Sequence, residues 1–487
     1  MTQSIDLMPV DQALTSASKR PTSVQDLPIE LLLLIFKFLY MKHRRPKHMY
    51  PFFRETEWEQ ADVLAPDLFP FAQAKVCQHW RAVLASYSIF WTRIPIAVDS
   101  NFTPGAVISN YLHWAQDQPV DVHMERHSGT YDQEDPAEKS RVSAVMPYIS
   151  QHFHHIRSIH FDLIKRSSFP DFRGWLSGEA KILEQLDIKC QIQDEDTHAV
   201  IPPVETEPDL HFSSPCLTAL SLDGRNFTRG CVLRSDWFEN APKLSRVTLT
   251  PFQTSTFSET LSVYDTLECL SHLTDLISVD IRGVTFHDPE PDGQLPEITC
   301  CSLHLADLSG RVAASMLQAT GQCSPESVDI ERCSLLGVAF FDAYYLTLKD
   351  ISPEWDLSAP FNDLSTSCMS IVNCPGFDDD VLDVLADGGP ANDNFSAHRL
   401  RELYIERCTN FSARKMYRMV RARWLAVHQI PGWTDDEDDV WDWMGQLPIL
   451  ELMVVDGPVL PEKYRTPLQT MVPTFRWSVA PELLESQ

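Results

Sequence analysis

The sequence lacks a long hydrophobic run. Its most apolar stretch extends from Leu31 to Phe36 and is interrupted by Lys37, whereas a helix that spans a bilayer needs roughly 20 apolar residues. The segment 1–23 has no basic start followed by an apolar block, which a secretory signal would show. Its serine, threonine and glutamine content predicts a flexible tail. We therefore expect a protein of the cytoplasm, the nucleus or both, without membrane contact.

Basic residues are scarce. The 487 residues include 40 lysines and arginines against 68 aspartates and glutamates, which gives a formal charge of −28. A surface with this charge repels a phosphate backbone, so nucleic-acid binding is not expected. The apolar fraction of 44 % is that of a folded protein. The length exceeds that of a single compact core, which predicts several domains or an elongated repeat array.

Metal-binding and catalytic motifs are also missing. The 12 cysteines are scattered without a CxxC pair, so a zinc framework is not predicted. The sequence contains no phosphate-binding loop, no glycine-rich dinucleotide motif, no HExxH and no GxSxG. The histidines at 152, 154, 155 and 160 span a predicted helix-to-strand junction, where side chains point in different directions. We expect no cofactor, no metal site and no catalytic residue.

A short pattern is repeated in the carboxyl-terminal half of the sequence. It consists of two apolar residues two positions apart, a cysteine three positions later and an apolar residue three after that. The copies are Val328–Leu336, Met369–Phe377 and Leu403–Phe411, and Leu346–Ile351 has isoleucine in the cysteine position. Alternating apolar residues predict a short strand with one buried face. Cys333, Cys374 and Cys408 are predicted to be buried thiols, neither metal-bound nor catalytic.

Looser copies of the strand pattern begin at residues 156, 183, 217, 244, 276 and 447. Amphipathic helices are predicted between several strands, with apolar stripes at Val142–Phe153, Leu261–Leu270 and Met416–Val427. Because a unit of one strand and one helix cannot bury its apolar face alone, the units must stack. The pattern predicts an α/β fold, a leucine-rich-repeat-like solenoid over residues 96–487.

The segment before residue 96 predicts two apolar helices. The residues from Leu31 to Leu39 cover nearly the full circumference of the first helix, which must be buried on more than one side. The second stretch, residues 71–94, places Cys77 and Trp80 one turn apart, and we interpret Cys77 as a core residue rather than a metal ligand. Such helices carry more apolar surface than a small module can bury, so the remainder should face a partner.

These helices resemble a known family. Leu27-Pro28-x-Glu30-Leu31, followed by Val76-Cys77-x-x-Trp80-Arg81 and Phe90-Trp91, resembles the F-box, a helical module over residues 24–95. The resemblance implies binding to the Skp-type adaptor of a cullin–RING ubiquitin ligase. The residues that it assigns to the adaptor are Leu27, Pro28, Leu31, Leu32, Ile35, Leu39, Val76, Trp80 and Trp91. An insertion at 42–70 replaces the family's short turn, which predicts altered contacts or a loop that projects outwards.

Together the two regions resemble the fungal F-box proteins with leucine-rich repeats. This implies a non-catalytic substrate receptor of a Skp–cullin–F-box ligase, which binds a protein substrate on the solenoid. The alternative is a leucine-rich-repeat scaffold, or protein-interaction module, outside any ligase. We predict that the substrate contacts the strand-lined face of the last repeats and an acidic loop, whose residues are Trp433, Asp435, Asp436, Glu437, Asp438, Asp439, Trp441 and Trp443.

Overall fold

The computed structural model describes residues 27–44, 62–127, 129, 135–170, 178–192, 194, 212–232, 240–251, 261–287, 295–320, 324–335, 342–354, 357, 361, 364–386, 397–428 and 448–481. Within these ranges the protein is α/β, as the sequence predicts, with 11 α-helices and a long parallel sheet. The helices are α1 (Ile29–Arg44), α2 (Phe71–Val76), α3 (Gln78–Ala85), α4 (Gly105–Ala115), α5 (Glu138–Gln151), α6 (Gly224–Phe227), α7 (Val263–Ser271), α8 (Gly310–Ala319), α9 (Asp379–Ala386), α10 (Ala413–His428) and α11 (Glu462–Met471). No helix in the described part of the chain is both long and apolar enough to cross a bilayer.

The long sheet has 14 parallel strands in chain order. They are β1 (Arg93–Ala97), β2 (Val120–Glu125), β3 (Ile156–Lys165), β5 (Gln185–Ile192), β7 (Ala219–Asp223), β8 (Arg246–Thr250), β9 (Ser278–Arg282), β10 (Ser302–Ala306), β11 (Ser327–Glu331), β12 (Tyr345–Lys349), β13 (Cys368–Val372), β14 (Glu402–Glu406), β15 (Glu451–Gly457) and β16 (Thr474–Val479). Two short strands, β4 (Gly178–Glu179) and β6 (Phe212–Ser213), pair separately. Every strand pattern predicted from the sequence therefore contains or overlaps a strand.

The sheet has one covered face and one open face. In β14, for example, Leu403 and Ile405 are buried, whereas Glu402, Tyr404 and Glu406 retain exposed surface. The inward residues of the strands join apolar residues of the helices in one continuous cluster. The alternation of the side chains thus leaves a polar strand-lined face on the other side of the sheet.

A left-handed residue follows each strand from β9 to β14. These residues have φ between 49° and 57° and are Gly283, Asp307, Arg332, Asp350, Asn373 and Arg407. The backbone N–H of each donates to a carbonyl at the end of the next strand; the N–H of Asn373, for instance, lies 2.8 Å from the oxygen of Glu406. The left-handed turn directs the following residue towards the core, which explains why the cysteines recur at this position.

The three repeated cysteines are buried, as the sequence predicts. Cys333, Cys374 and Cys408 are almost fully enclosed, and burial raises the pKa of their thiols to about 11, about 12 and about 11 respectively. The backbone N–H of Cys374 donates to Cys408 Sγ at 3.3 Å. Each such cysteine therefore packs in the core and hydrogen-bonds to the backbone.

Replacing Cys408 with alanine should lower the free energy of unfolding by about 1–3 kcal/mol, because it leaves a small cavity and deprives the buried Cys374 N–H of its acceptor. Thermal unfolding of the full chain measures the loss. Alanine at the exposed Cys301 should have little effect and serves as the control. Rapid alkylation of Cys333, Cys374 and Cys408 in the folded protein would contradict their burial.

The amino-terminal helices share the core of the sheet. Trp91 is fully buried, its ring centroid lies 4.4 Å from that of Trp114 in α4, and its Nε1 donates to the Leu84 carbonyl at 2.9 Å. The predicted boundary at residue 95 lies within β1. The apolar core therefore continues from α1 into the parallel sheet without a gap.

Candidate functional site

The inner side of α1 is packed against the neighbouring helices. No glycine or proline interrupts α1, so the segment remains helical over its length. Leu32 and Phe36 are fully buried. The Phe36 ring lies 5.3 Å from Trp80 and 6.3 Å from Phe69, measured between centroids. These aromatic contacts fix the helix to the module and determine which residues point outwards.

The outer side of α1 is also apolar, and it is exposed. Five large side chains form what we term the α1 outer face: Leu31, Leu34, Ile35, Phe38 and Met41. Phe38 is 65 % exposed and Leu34 is 62 % exposed. At 100° per residue, Leu34, Phe38 and Met41 lie roughly opposite Leu32 and Phe36, and Leu31 and Ile35 lie on the flank between the two sides. A helix that is apolar on both sides but covered on one presents the kind of patch that marks an interaction site.

The residues predicted to contact an adaptor fall into three groups. Four are exposed: Pro28, Leu31, Ile35 and Val76. Three are partly buried against the core: Leu27, Leu39 and Trp80. Two are fully buried, Leu32 and Trp91. This corrects the predicted adaptor surface. Leu32 and Trp91 have no exposed area that a partner could contact, and they pack inside the module instead. Leu34, Phe38 and Met41 take their place on the exposed side.

Cys77 has a different role from the predicted one. The sequence indicates that it belongs to an apolar helix stripe with Trp80, but the chain is extended at Cys77, with φ −160° and ψ 167°. The residue therefore separates α2 from α3. Its Sγ accepts a hydrogen bond from the Trp80 N–H at 3.4 Å. Cys77 thus caps the amino terminus of α3, where a helix has donors without internal partners.

The histidines near 155 do not converge on one point. His152 Nδ1 lies 3.1 Å from His155 Nε2 after α5, whereas His160 projects from β3 and its ring stacks on that of His123 at 4.6 Å. Burial lowers the pKa of His123 to about 3, and the neighbouring His160 has a smaller effect in the same direction. Within the residues that the structure describes, no group of three or more His, Cys, Asp or Glu side chains could hold a metal ion.

A second surface lies on the strand-lined face between β12 and β15. Two rows of residues meet there in register, and they line a depression of about 280 Å³. The first row consists of Tyr345, Cys368, Glu402 and Glu451, and the second of Thr347, Ser370, Tyr404 and Met453. We term this site the β12–β15 depression. Its walls combine two phenol rings, a thioether and two carboxylates.

Hydrogen bonds and burial raise the pKa values of three ionisable groups in the depression, Tyr404, Cys368 and Tyr345. Tyr404 Oη donates to Glu406 Oε2 at 2.5 Å, and this bond raises the pKa of the phenol to about 12. Burial raises the pKa of the Cys368 thiol to about 12, and its hydrogen bond with Glu402 acts in the same direction. Burial also raises the pKa of Tyr345. The depression therefore combines two acidic side chains, Glu402 and Glu451, with phenol and thiol groups whose pKa values are raised.

A larger depression of about 670 Å³ adjoins the first one and shares Tyr345 with it. It lies along the amino-terminal ends of the strands and includes Glu326, Asp342 and Arg399. Tyr344 and Tyr345, whose ring centroids are 4.6 Å apart, stand at its edge. Sequence reasoning found neither depression.

The acidic loop that the sequence assigns to the substrate, from Trp433 to Trp443, lies outside the described residues, as do the tail at 1–23 and residues 45–61 of the insertion. No family model matches the sequence. A search of curated proteins also found no match. The assignment of function therefore depends on the two surfaces and on the residue patterns.

Proposed function

We propose that this protein is the substrate-recognition subunit of a Skp–cullin–F-box type ubiquitin ligase. The observation that carries the proposal is the α1 outer face: five large apolar residues lie exposed on a helix whose Leu32 and Phe36 are packed in the core. This helix begins directly after the Leu27-Pro28 pair of the F-box-like motif. An adaptor that covers the face would bury the apolar surface that the module itself leaves in water.

The second part of the proposal is a leucine-rich-repeat-like solenoid that binds the substrate. Its support is the order of the parallel strands, which follows the chain, and the repeated left-handed residue with an inward cysteine after it. Stacked units of this kind offer an extended surface for a protein ligand. The strand-lined face is the surface that we propose here, and the β12–β15 depression lies on it.

The mechanism in this proposal is proximity. The amino-terminal helices bind the adaptor, and the strand-lined face holds a substrate beside the charged conjugating enzyme. Tethering raises the effective concentration of a substrate lysine near the thioester. The receptor contributes binding and orientation, and none of its residues performs a chemical step. Because the helices and the sheet share one core, the distance between the two binding surfaces is fixed by packing.

Replacing Leu31 and Ile35 together with aspartate should abolish co-purification with a Skp-type adaptor. Both side chains are about half exposed, so the fold should tolerate the change, whereas two charges in an apolar interface should weaken binding at least about a hundredfold. The measurement is the adaptor dissociation constant of the full chain. Unchanged thermal unfolding of the variant verifies that the α1 outer face alone was altered.

Aspartate at Ile277 is the matched control, because this isoleucine is 53 % exposed but precedes β9 in the sheet. It should leave adaptor binding unchanged. Failure of the unaltered chain to form a 1:1 complex with the adaptor would overturn the ligase assignment and favour the scaffold alternative. Full adaptor binding by the Leu31 and Ile35 variant would instead place the contact elsewhere on the chain.

A further inference from the structure

We propose that the β12–β15 depression binds the cationic side chain of a basic peptide segment, with arginine as the preferred residue. This inference rests on the proposed function in one respect, which is that the basic segment belongs to a substrate. It names a ligand chemistry for a surface that motif analysis leaves unspecified. Its basis is the geometry, the charge and the aromatic lining of the recess.

The two carboxylates of the depression are neighbours on adjacent strands. Glu402 of β14 lies directly opposite Glu451 of β15 in the parallel register. Adjacent strands are about 4.8 Å apart, so both carboxylates can reach one group placed between them. A guanidinium carries donors on two edges and forms charge-assisted hydrogen bonds with carboxylates. The pair is thus spaced to hold a single arginine side chain from two sides.

These two carboxylates differ from several other acids of the strand-lined face, which have basic partners. Glu331 lies 2.9 Å from Lys349 Nζ, and Asp280 lies 2.7 Å from Arg282 and 2.8 Å from His304. Within the described part of the chain, no ion pair joins Glu402 or Glu451 to a basic residue, including Arg476 on the neighbouring strand β16. Two adjacent like charges repel each other, and a cation between them removes the repulsion.

Aromatic rings complete the site. Tyr345 is 45 % exposed at the junction of the two depressions, and Tyr344 supports its ring edge-on. Tyr404 lies in the second row and is held by its hydrogen bond to Glu406. A cation over the face of such a ring is attracted by the ring quadrupole. Guanidinium groups also stack on aromatic rings, which favours arginine over lysine.

The adjoining depression provides room for the peptide on either side of the cation. Ser365, which is only 8 % exposed, lines it, and the Ser365 hydroxyl has no hydrogen-bond partner among the described residues. Glu326 and Asp342 add negative charge to the same wall, and Arg399 adds one positive charge. A buried hydroxyl without a partner is uncommon, and it marks a place where a bound peptide group can supply one.

Binding of labelled peptides to the purified full chain tests the proposal. The probes are short glycine–serine peptides with one central arginine, lysine or citrulline, the last being a neutral analogue of arginine. At physiological salt, we expect the arginine peptide to bind about tenfold more tightly than the citrulline peptide. Replacing Glu402 and Glu451 with glutamine should remove this preference, and Tyr345→Ala should weaken binding more than Tyr345→Phe.

The control removes the same charge elsewhere. Glutamine at Glu268 of α7 and Glu462 of α11, both exposed on helices, should leave the preference for arginine intact. The proposal fails if no arginine peptide binds, if citrulline binds equally well, or if the control pair lowers the affinity as much as the Glu402 and Glu451 pair. The last result would indicate a general attraction to an acidic protein.

The two proposals can fail separately. The Leu31 and Ile35 aspartate variant should bind the arginine peptide normally, and the Glu402 and Glu451 glutamine variant should bind the adaptor normally. A chain that binds the peptide without binding the adaptor would leave the cation site standing and overturn the ligase. The opposite result would retain the ligase subunit and overturn the site.

Discussion

Trp91→Ala should lower the free energy of unfolding of the amino-terminal region by about 3–5 kcal/mol, which is the usual cost of removing a large buried aromatic side chain. Trp91 is fully enclosed by Phe71, Tyr111 and Trp114, with ring centroids between 4.4 and 5.8 Å from its own. The change also removes the indole hydrogen bond to the Leu84 carbonyl. The contact between the amino-terminal helices and the sheet should therefore be the first to be lost on unfolding.

Hydrogen exchange of the full chain measures this effect segment by segment. Protection should fall in α3, β1 and β2 and stay near its original level in β13 and β14, since distant strands share no contact with Trp91. Phenylalanine at the same position should cost less, because it retains most of the ring contacts. Alanine at the partly exposed Tyr264 provides the surface control. An exchange pattern equal to that of the control would refute the role of Trp91.

Glu138→Ala should lower the free energy of unfolding by a similar amount, about 3–5 kcal/mol. The change removes a buried ionic partner and two hydrogen-bond acceptors. The carboxylate of Glu138 accepts from the backbone N–H groups of Ile164 and Lys165, both at 3.0 Å. Arg126 Nη1 lies 3.5 Å from the same carboxylate. Without Glu138, the end of β3 has two unpaired donors and Arg126 loses a neighbouring charge.

Glutamine at 138 separates the contributions. It keeps the size of the side chain and one accepting oxygen, so it should destabilise the chain less than alanine does. Alanine at the exposed Glu268 should change the unfolding temperature little. Equal effects of alanine at 138 and at 268 on thermal unfolding would contradict the proposed role of the Glu138 carboxylate, which is to connect α5 to the end of β3.

The strands were largely predictable because burial imposes a period of two residues on them. The pairs Val328 with Ile330 and Leu403 with Ile405 show this alternation in the sequence, and all four side chains are buried in the structure. The inward cysteines followed from their constant offset. The helices α4, α6, α8, α9 and α11 were not predicted, because such helices are stabilised mainly by tertiary packing, which the local sequence does not show.

The orientation of α1 could not be read from the sequence. A run with apolar residues at nearly every position does not indicate which side faces the core, and Leu31 and Leu32 are equivalent until the aromatic neighbours Phe36 and Trp80 are placed. The break between α2 and α3 at Cys77 was not predicted for a related reason, because the apolar pattern of α2 continues into α3. Packing, rather than propensity, decides both cases.

The β12–β15 depression could not be predicted because it depends on register. Tyr345, Glu402 and Glu451 are far apart in the sequence, and each alone reads as an ordinary surface residue of a strand. They become neighbours only when the strands pair in one alignment. A shift of one residue would turn each of these side chains to the opposite face of the sheet.

The order of the strands also bears on how the chain is made. Because each strand pairs with the strand formed just before it, a nascent chain can add one layer at a time as it leaves the ribosome. α1 and its aromatic neighbours Phe69 and Trp80 precede the strands, so they can pack together before the sheet is complete. Glu451 meets Glu402 only after β15 has emerged and docked on β14, long after the α1 residues have packed. A chain released before that point would carry α1 but only part of the β12–β15 depression.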